Sequence, residues 1–196
     1  MTYYDNYFKS GEYAKSERIF NFDRPTAQLR GKRWGIIGMG NIGREVARLA
    51  EAFGCDVAYF STSGVERNEA YNKLSLNELL NSSDVISIHC PLNERTQNLI
   101  SAEELAMMKK SAILINVARG GIVNEAALAE ALNSGNLRGA ALDVFTSEPL
   151  RESPLYNLQN PYRLLASPHN AWSSVEAIDR LIACIAGNIQ EYIAKK

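Results

Sequence analysis

Short apolar runs without alternation, helix-period segments between them and a glycine-rich turn directly after the first run predict an α/β chain. The expected fold is a Rossmann-type doubly wound parallel sheet with helices on both faces. Residues 34–37 are apolar, short enough for one buried strand, and run straight into Gly38-x-Gly40-x-x-Gly43. A helical pattern follows, with Ile42, Val46, Leu49, Ala50 and Phe53 on one expected face and Gly54 at its end. A G-x-G-x-x-G motif acquires meaning only in this strand–turn–helix setting. Gly38 permits the tight turn, Gly40 lets a pyrophosphate approach the backbone, and Gly43 lets the helix pack close on the strand. The helix start adds free N–H groups and the positive end of a dipole. A glycine turn with no ligand is the plainer reading; the setting favours a dinucleotide.

The remaining elements follow in order. Residues 2–10 read as the tail of a helix ended by Gly11. Residues 12–30 show no period and read as a long connection, unusual in a compact domain and suited to an arm reaching another domain or subunit. From Gly31 onward strands and helices alternate. Strands are expected at 33–37, 57–60, 85–89, 112–117, 139–144 and 163–166. Ser75-x-x-Glu78 and Ser101-x-x-Glu104 look like capping boxes, the first opening a helix to Asn81, the second one that carries Leu105 and Met108. Asn124 caps a helix to Ser134, stopped by Gly135. A polar loop holds Pro149, Pro154 and Pro161. The last helix begins near Ser173 and places Val175, Ile178, Ile182, Ile185, Ile189 and Ile193 on one stripe.

Composition bounds the partners. The chain has 196 residues, 46% hydrophobic content and a net charge of −1, so it is long enough for one full core and shows no basic excess for nucleic acid. No apolar segment approaches a membrane span, and the first residues lack the basic start and apolar core of a signal peptide. Cys55, Cys90 and Cys184 show neither paired nor metal-type spacing; all three fall in expected core or strand-end positions, as free thiols of a cytoplasmic protein.

Ligands of an open parallel sheet bind outside the carboxyl ends of its strands. The successive strands lead into the glycine turn, then Ser61-Thr62-Ser63-Gly64, then His89-Cys90-Pro91, then Ala118-Arg119-Gly120-Gly121. Asp143 follows, with Glu148 five residues on, and finally Pro168-His169. Both histidines of the chain thus share one edge with an Arg, an Asp and a Glu, which marks an active site. Singly, each has a plainer reading: Arg119 as a solvated surface arginine, Glu148 as a loop acid, His169 as a capping or core histidine. His89 reads as structural rather than catalytic.

Taken together, these stretches resemble the nucleotide-binding domain of the D-isomer-specific 2-hydroxyacid dehydrogenases over roughly residues 28–195. The resemblance rests on Leu29-Arg30-Gly31-Lys32 and the glycine turn, His89-Cys90-Pro91-Leu92-Asn93-Glu94-Arg95-Thr96, and Ile115-Asn116-Val117-Ala118-Arg119-Gly120-Gly121-Ile122-Val123. It continues through Ala141-Leu142-Asp143-Val144-Phe145 with Glu148-Pro149, and Ser167-Pro168-His169-Asn170-Ala171-Trp172. Ala171-Trp172 looks more like the glycerate/hydroxypyruvate and D-lactate branches than the phosphoglycerate one.

The resemblance implies an NAD(P)-dependent enzyme moving a hydride between the cofactor and a small 2-keto or D-2-hydroxy acid. By it, His169 is the proton donor to the keto oxygen. Glu148 holds its other nitrogen and favours the charged ring. Arg119 grips the substrate carboxylate and polarises the carbonyl, and Asp143 accepts from the nicotinamide carboxamide. Gly38, Gly40, Asn41, Ile42, Gly43, Ser61, Thr62, His89, Pro91, Thr96, Val117, Ala118, Arg119, Asp143, His169 and Ala171 are the expected cofactor-lining positions. A non-catalytic dinucleotide sensor, as in corepressors of this fold, and a dehydrogenase for another small acid such as formate are the alternatives.

Two departures stand out. Members that prefer NAD usually end the second strand with an Asp on the ribose diol; here the spacing puts Ser61 there, which neither binds the diol as strongly nor repels a 2′-phosphate, and Arg67 is six residues on. The choice between NAD and NADP stays open. The family also carries a separate substrate domain, mostly N-terminal. Residues 1–30 are therefore expected to be an arm and the stump of an interdomain helix, 31–196 the cofactor domain, and the chain a piece of a longer protein that forms a homodimer.

Overall fold

The computed structural model describes residues 2–64 and 70–195. After helix α1 (Thr2–Lys9) and a 3-10 turn at Tyr13–Lys15, the chain forms β1 (Arg33–Ile37), α2 (Asn41–Ala52), β2 (Asp56–Phe60), β3 (Asn72–Lys73), α3 (Leu76–Ser82) and β4 (Val85–Ile88). It continues through α4 (Ala102–Met107), β5 (Ile113–Asn116), α5 (Glu125–Asn133), β6 (Gly139–Leu142), β7 (Leu164–Ala166) and α6 (Val175–Ala194). The sheet order is β3-β2-β1-β4-β5-β6-β7 and every pairing is parallel. The order runs outward in both directions from β1 and β4, so the fold is the doubly wound one. The two-residue β3 has no strand-length apolar run to announce it.

Register sets the edge on which the site stands. Ile37 pairs with Phe60 and Ile88, Ile88 with Asn116, Asn116 with Leu142, and Leu142 with Ala166. The six strand ends therefore lie in one row. Ile36, Ile37, Ile86, Ile88 and Leu114 are wholly buried, as apolar strands covered on both sides require. One cluster lies under α3, α4 and α5, with Leu79, Leu80, Leu105, Leu128 and Leu132 at its centre; a smaller one under α2 holds Ile36, Met39, Ala47, Ala50, Val57 and Tyr59. Ser75 accepts from the Glu78 N–H at 3.3 Å while Glu78 accepts from the Ser75 N–H at 2.9 Å, closing the first capping box. In the second, Glu104 accepts from the Ser101 N–H at 3.0 Å.

One expectation about burial, that of Cys184, is corrected, and two helix faces take burial that periodicity left open. On α2 the face against the sheet is Gly43, Ala47 and Ala50, whereas Ile42, Leu49 and Phe53 are exposed. Small residues let this helix lie close, and a Cβ on Gly43 would fall on the Gly38 carbonyl. The apolar stripe of α6 is real, but the helix buries no residue, and Ile182, Ile185, Ile189 and Ile193 are at least half exposed. Cys184, on that helix, is exposed, while Cys55 and Cys90 are buried. Periodicity names the apolar side of a helix; it does not say whether anything covers it. Among the described residues no helix is long and apolar enough to cross a membrane.

The stretch before β1 is anchored rather than loose. The Arg24 guanidinium lies 5.1 Å from the Tyr3 ring centre and 5.5 Å from that of Tyr162. The Tyr4 hydroxyl donates to the Arg24 carbonyl at 2.8 Å, and Arg138 donates to the Pro25 carbonyl at 2.7 Å. Between these anchors Ile19, Phe20 and Phe22 stay 63–78% exposed.

Candidate functional site

The glycine turn has the shape the motif predicts. Gly38 takes φ +96°, and a Cβ there would lie 2.8 Å from the Cys90 nitrogen; only glycine fits both the conformation and the approach to the end of β4. Gly40 is the N-cap of α2 and faces open space. A cradle with no Cβ and the leading N–H groups of a twelve-residue helix, which have no intrahelical partner, suit a pyrophosphate. Ser61 follows β2 directly, its hydroxyl 3.4 Å from that of Ser63. Gly38 donates to the Phe60 carbonyl at 2.9 Å, so Ser61 stands next to the turn. Arg67 lies outside the described residues.

On the far side of the turn, His89 is half-buried with Nε2 3.0 Å from the Ser87 hydroxyl, to which the Trp34 indole also donates at 2.8 Å. Burial lowers the imidazole to about 4, so it is neutral near pH 7. Burial likewise pushes the Cys90 thiol up to about 11 and leaves it unreactive. Thr96 differs from its expected place: it is fully buried, donating to the Pro91 carbonyl at 2.6 Å and accepting from the Asn93 N–H at 2.8 Å. Its side chain shapes the Pro91 turn.

The charged groups collect after β5, β6 and β7, three adjacent strands. Arg119 is exposed, with its guanidinium donating to the Ala118 carbonyl at 2.7 Å. The buried Asn116 builds its turn, donating to the Arg119 carbonyl at 2.9 Å and accepting from the Ala118 N–H at 3.1 Å. Val117 is 38% exposed beside it. The loop after β6 carries Glu148 and is pinned by Glu125, which accepts from the Thr146 N–H at 2.7 Å and the Ser153 hydroxyl at 2.9 Å.

Glu148 and His169 meet there. Nδ1 of His169 is 2.6 Å from Glu148 Oε2, while Oε1 accepts from the Phe145 N–H at 2.9 Å. The imidazole hydrogen bond, then that N–H, hold the Glu148 carboxyl below its ordinary range. With Nδ1 engaged, the other ring nitrogen is the one available to a substrate. A cavity of about 660 Å³, walled by Phe145, Leu150, Leu155 and Tyr156, borders the pair and is wide enough to admit a ligand-sized group to it.

Asp143 is 3% exposed. Burial pushes its carboxyl up, but the Ser167 hydroxyl and the Ala171 and Asn170 N–H groups outweigh that and leave it below the ordinary range. Sequence reasoning therefore found Arg119, Asp143, Glu148 and His169 on one edge. It assigned no role to Asn116, Glu125, Ser167 or Trp172, which shape the loops carrying them. Glu125 and Ser167 carry no local mark, because their partners lie 21 to 28 residues away; Asn116 and Trp172 bond within their own turns.

The family model for the D-isomer specific 2-hydroxyacid dehydrogenase NAD-binding domain matches residues 1–171. A glycerate dehydrogenase of Methylorubrum extorquens is 39% identical over 193 residues, 98% of this chain and 60% of that protein. A D-lactate dehydrogenase from Aquifex aeolicus, solved with NAD and lactic acid, superposes with a TM-score of 0.84 at 27% identity, over 95% of this chain and 61% of that one. An acyclic imino acid reductase, solved with NADPH and D-Arg, gives 0.83 at 30% identity, over 96% and 60%. The chain thus spans about three fifths of the length of each.

Proposed function

We propose that this chain, which belongs to the D-isomer specific 2-hydroxyacid dehydrogenase family as its NAD-binding domain, is the cofactor domain of an enzyme that moves a hydride between NAD(P)H and a small 2-keto or D-2-hydroxy acid. The observation that carries the reading is the Glu148–His169 pair, 2.6 Å apart on the edge shared with Arg119 and the glycine turn. The cradle fits a nicotinamide dinucleotide, which supplies the hydride when bound. Gly38, Gly40 and the start of α2 would hold its phosphates, and Asp143 would be the acceptor for its carboxamide. His169 gives a proton to the keto oxygen as negative charge develops there. Glu148 holds the ring through Nδ1, and Arg119 grips the substrate carboxylate in a forked contact. Turnover by the full-length protein of a panel of small 2-keto acids, with NADH and NADPH, tests the reading. Dinucleotide binding with no turnover of any of them would instead make it a sensor.

Cofactor choice centres on Ser61. Ser61, directly after β2, carries no charge to repel a 2′-phosphate. Ser61→Asp is expected to shift the ratio of the NADPH and NADH dissociation constants toward NADH by roughly tenfold or more, because juxtaposed like charges cost several kcal/mol. Fluorescence titration of both reduced dinucleotides measures the ratio. An unchanged ratio would mean that Ser61 does not face the ribose.

The rest of the family's length supplies, in this proposal, the domain that closes over the substrate, and residues 1–30 reach a partner subunit in a cytoplasmic homodimer. The exposed Ile19, Phe20 and Phe22, held out between two anchored ends, support the second part. Two-fold dimers are the commonest assembly. Sedimentation of the full-length protein should show a dimer. A monomer at high concentration, with the arm intact, would refute it.

A further inference from the structure

His169 has a left-handed backbone, φ +51°, a state it shares among the described non-glycine residues only with Asn98. Such a conformation costs roughly 1–2 kcal/mol for a residue with a Cβ and persists only where the surroundings impose it. Here they do. The His169 N–H donates to the Asp143 carbonyl at 2.8 Å. The Asp143 carboxylate accepts on Oδ1 from the Ser167 hydroxyl at 2.6 Å and the Asn170 N–H at 3.0 Å, and on Oδ2 from the Ala171 N–H at 2.9 Å. The Trp172 indole closes the turn by donating to the His169 carbonyl at 3.0 Å. Residues 167–172 therefore wrap around one buried carboxylate. Ser167 itself is tied back to β6, its N–H donating to the Leu142 carbonyl at 2.9 Å. It supplies the side-chain donor that joins the start of the turn to the group at the turn's centre.

We propose that Ser167 is a positioning residue: its hydroxyl, through Asp143, holds the left-handed turn that aims the His169 imidazole at the reacting oxygen. The proposal rests on the reading of His169 as the acid. Glu148 orients the ring through Nδ1; Ser167 and Asp143 set where the ring starts from. Both are needed, because a displacement of about 1 Å at a reacting group costs about a hundredfold in rate. The arrangement also predicts a pH effect. The titratable groups that act on Asp143 are His169, and Glu148 behind it. The Ser167 hydroxyl helps to keep the Asp143 carboxyl ionised below its ordinary range. Without it the carboxyl takes up a proton at higher pH, the turn loosens, and activity on the acid side is lost sooner as pH falls.

The test uses the full-length protein as Ser167→Ala, Ser167→Thr and His169→Ala. Ser167→Ala is expected to lower kcat by roughly tenfold or more, to leave KM for the keto acid within about twofold, and to move the low-pH limb of the rate profile upward. Ser167→Thr, which restores the hydroxyl, should bring kcat and the limb back. Should Ser167→Ala not fold, Ser167→Cys, a weak donor of similar shape, gives the same readout. If Ser167→Ala keeps wild-type kcat and an unmoved limb while His169→Ala is inactive, the positioning role is overturned and the functional reading survives. A fall in kcat that Ser167→Thr does not restore also overturns it, as a purely structural effect. Normal turnover in His169→Ala refutes the functional reading itself.

Discussion

Replacing His169 by Ala in the full-length protein is expected to lower keto-acid turnover by roughly 10²–10⁴-fold, the usual worth of a positioned acid, with dinucleotide affinity nearly unchanged. The proton is needed only as the alkoxide forms, so its loss falls on the transition state and not on binding. Glu148→Gln keeps much of the shape at Nδ1 but removes the negative charge now held 2.6 Å from the ring. His169 and the Phe145 N–H keep Glu148 ionised below its ordinary range, so the carboxylate holds Nδ1 across the neutral range. The amide of Glu148→Gln is a weaker partner for that nitrogen, and activity near neutrality should drop. Arg119→Lys should act on a different constant. A point charge cannot make the forked contact, and KM should rise by roughly one to two orders of magnitude, the range of a charged hydrogen bond worth about 1.5–3 kcal/mol. pH–rate profiles of the three variants with one active substrate are the measurement. Undiminished turnover in Glu148→Gln, or normal turnover in His169→Ala, would move the chemistry elsewhere. His89 is then the next candidate, although burial lowers it to about 4 and disfavours it as an acid.

Gly120→Ala is expected to damage both fold and site. A Cβ at this position would fall on the Phe145 carbonyl and within 2.6 Å of the Thr146 nitrogen. The Gly120 backbone is not left-handed, so the penalty is steric rather than conformational. Neither neighbour can yield easily. Thr146 and Ser153 both donate to Glu125, which fixes their loop to the start of α5, and the Phe145 N–H is held by Glu148. The Arg119 turn must therefore move away from the loop that carries Glu148. Overpacking of this kind costs about 1–3 kcal/mol, and the separation of Arg119 from the Glu148–His169 pair should lower turnover by about a hundredfold. The glycine turn, after β1, is two strands removed, so dinucleotide affinity should change far less than kcat. Denaturant midpoints, steady-state rates and NADH titration of the purified variant check the three parts. Wild-type stability together with wild-type turnover would show that the two loops are free to part.

Much of this molecule was legible in the chain. Apolar runs of strand length, glycine stops and Ser or Asn caps are local signals, decided by backbone geometry within a few residues. They set β1 at its observed bounds and every longer strand to within two residues. The rule that ligands gather at strand ends then carried Arg119, Asp143, Glu148 and His169 to one edge before any contact was known. The tertiary structure decided what depends on partners distant in sequence. It showed that α2 packs through Gly43, Ala47 and Ala50 rather than through its larger apolar residues, because the available separation from the sheet admits only small ones. It left the α6 stripe and Cys184 uncovered, which periodicity cannot foresee, since burial belongs to a pair of surfaces and not to one helix. It turned Thr96 inward. And it made Asp143 the centre around which Ser167, Asn170 and Ala171 fold. Those three donors reach from one strand end to the carboxylate of another, a contact across 24 to 28 residues that only the parallel register of β6 and β7 brings within hydrogen-bond distance.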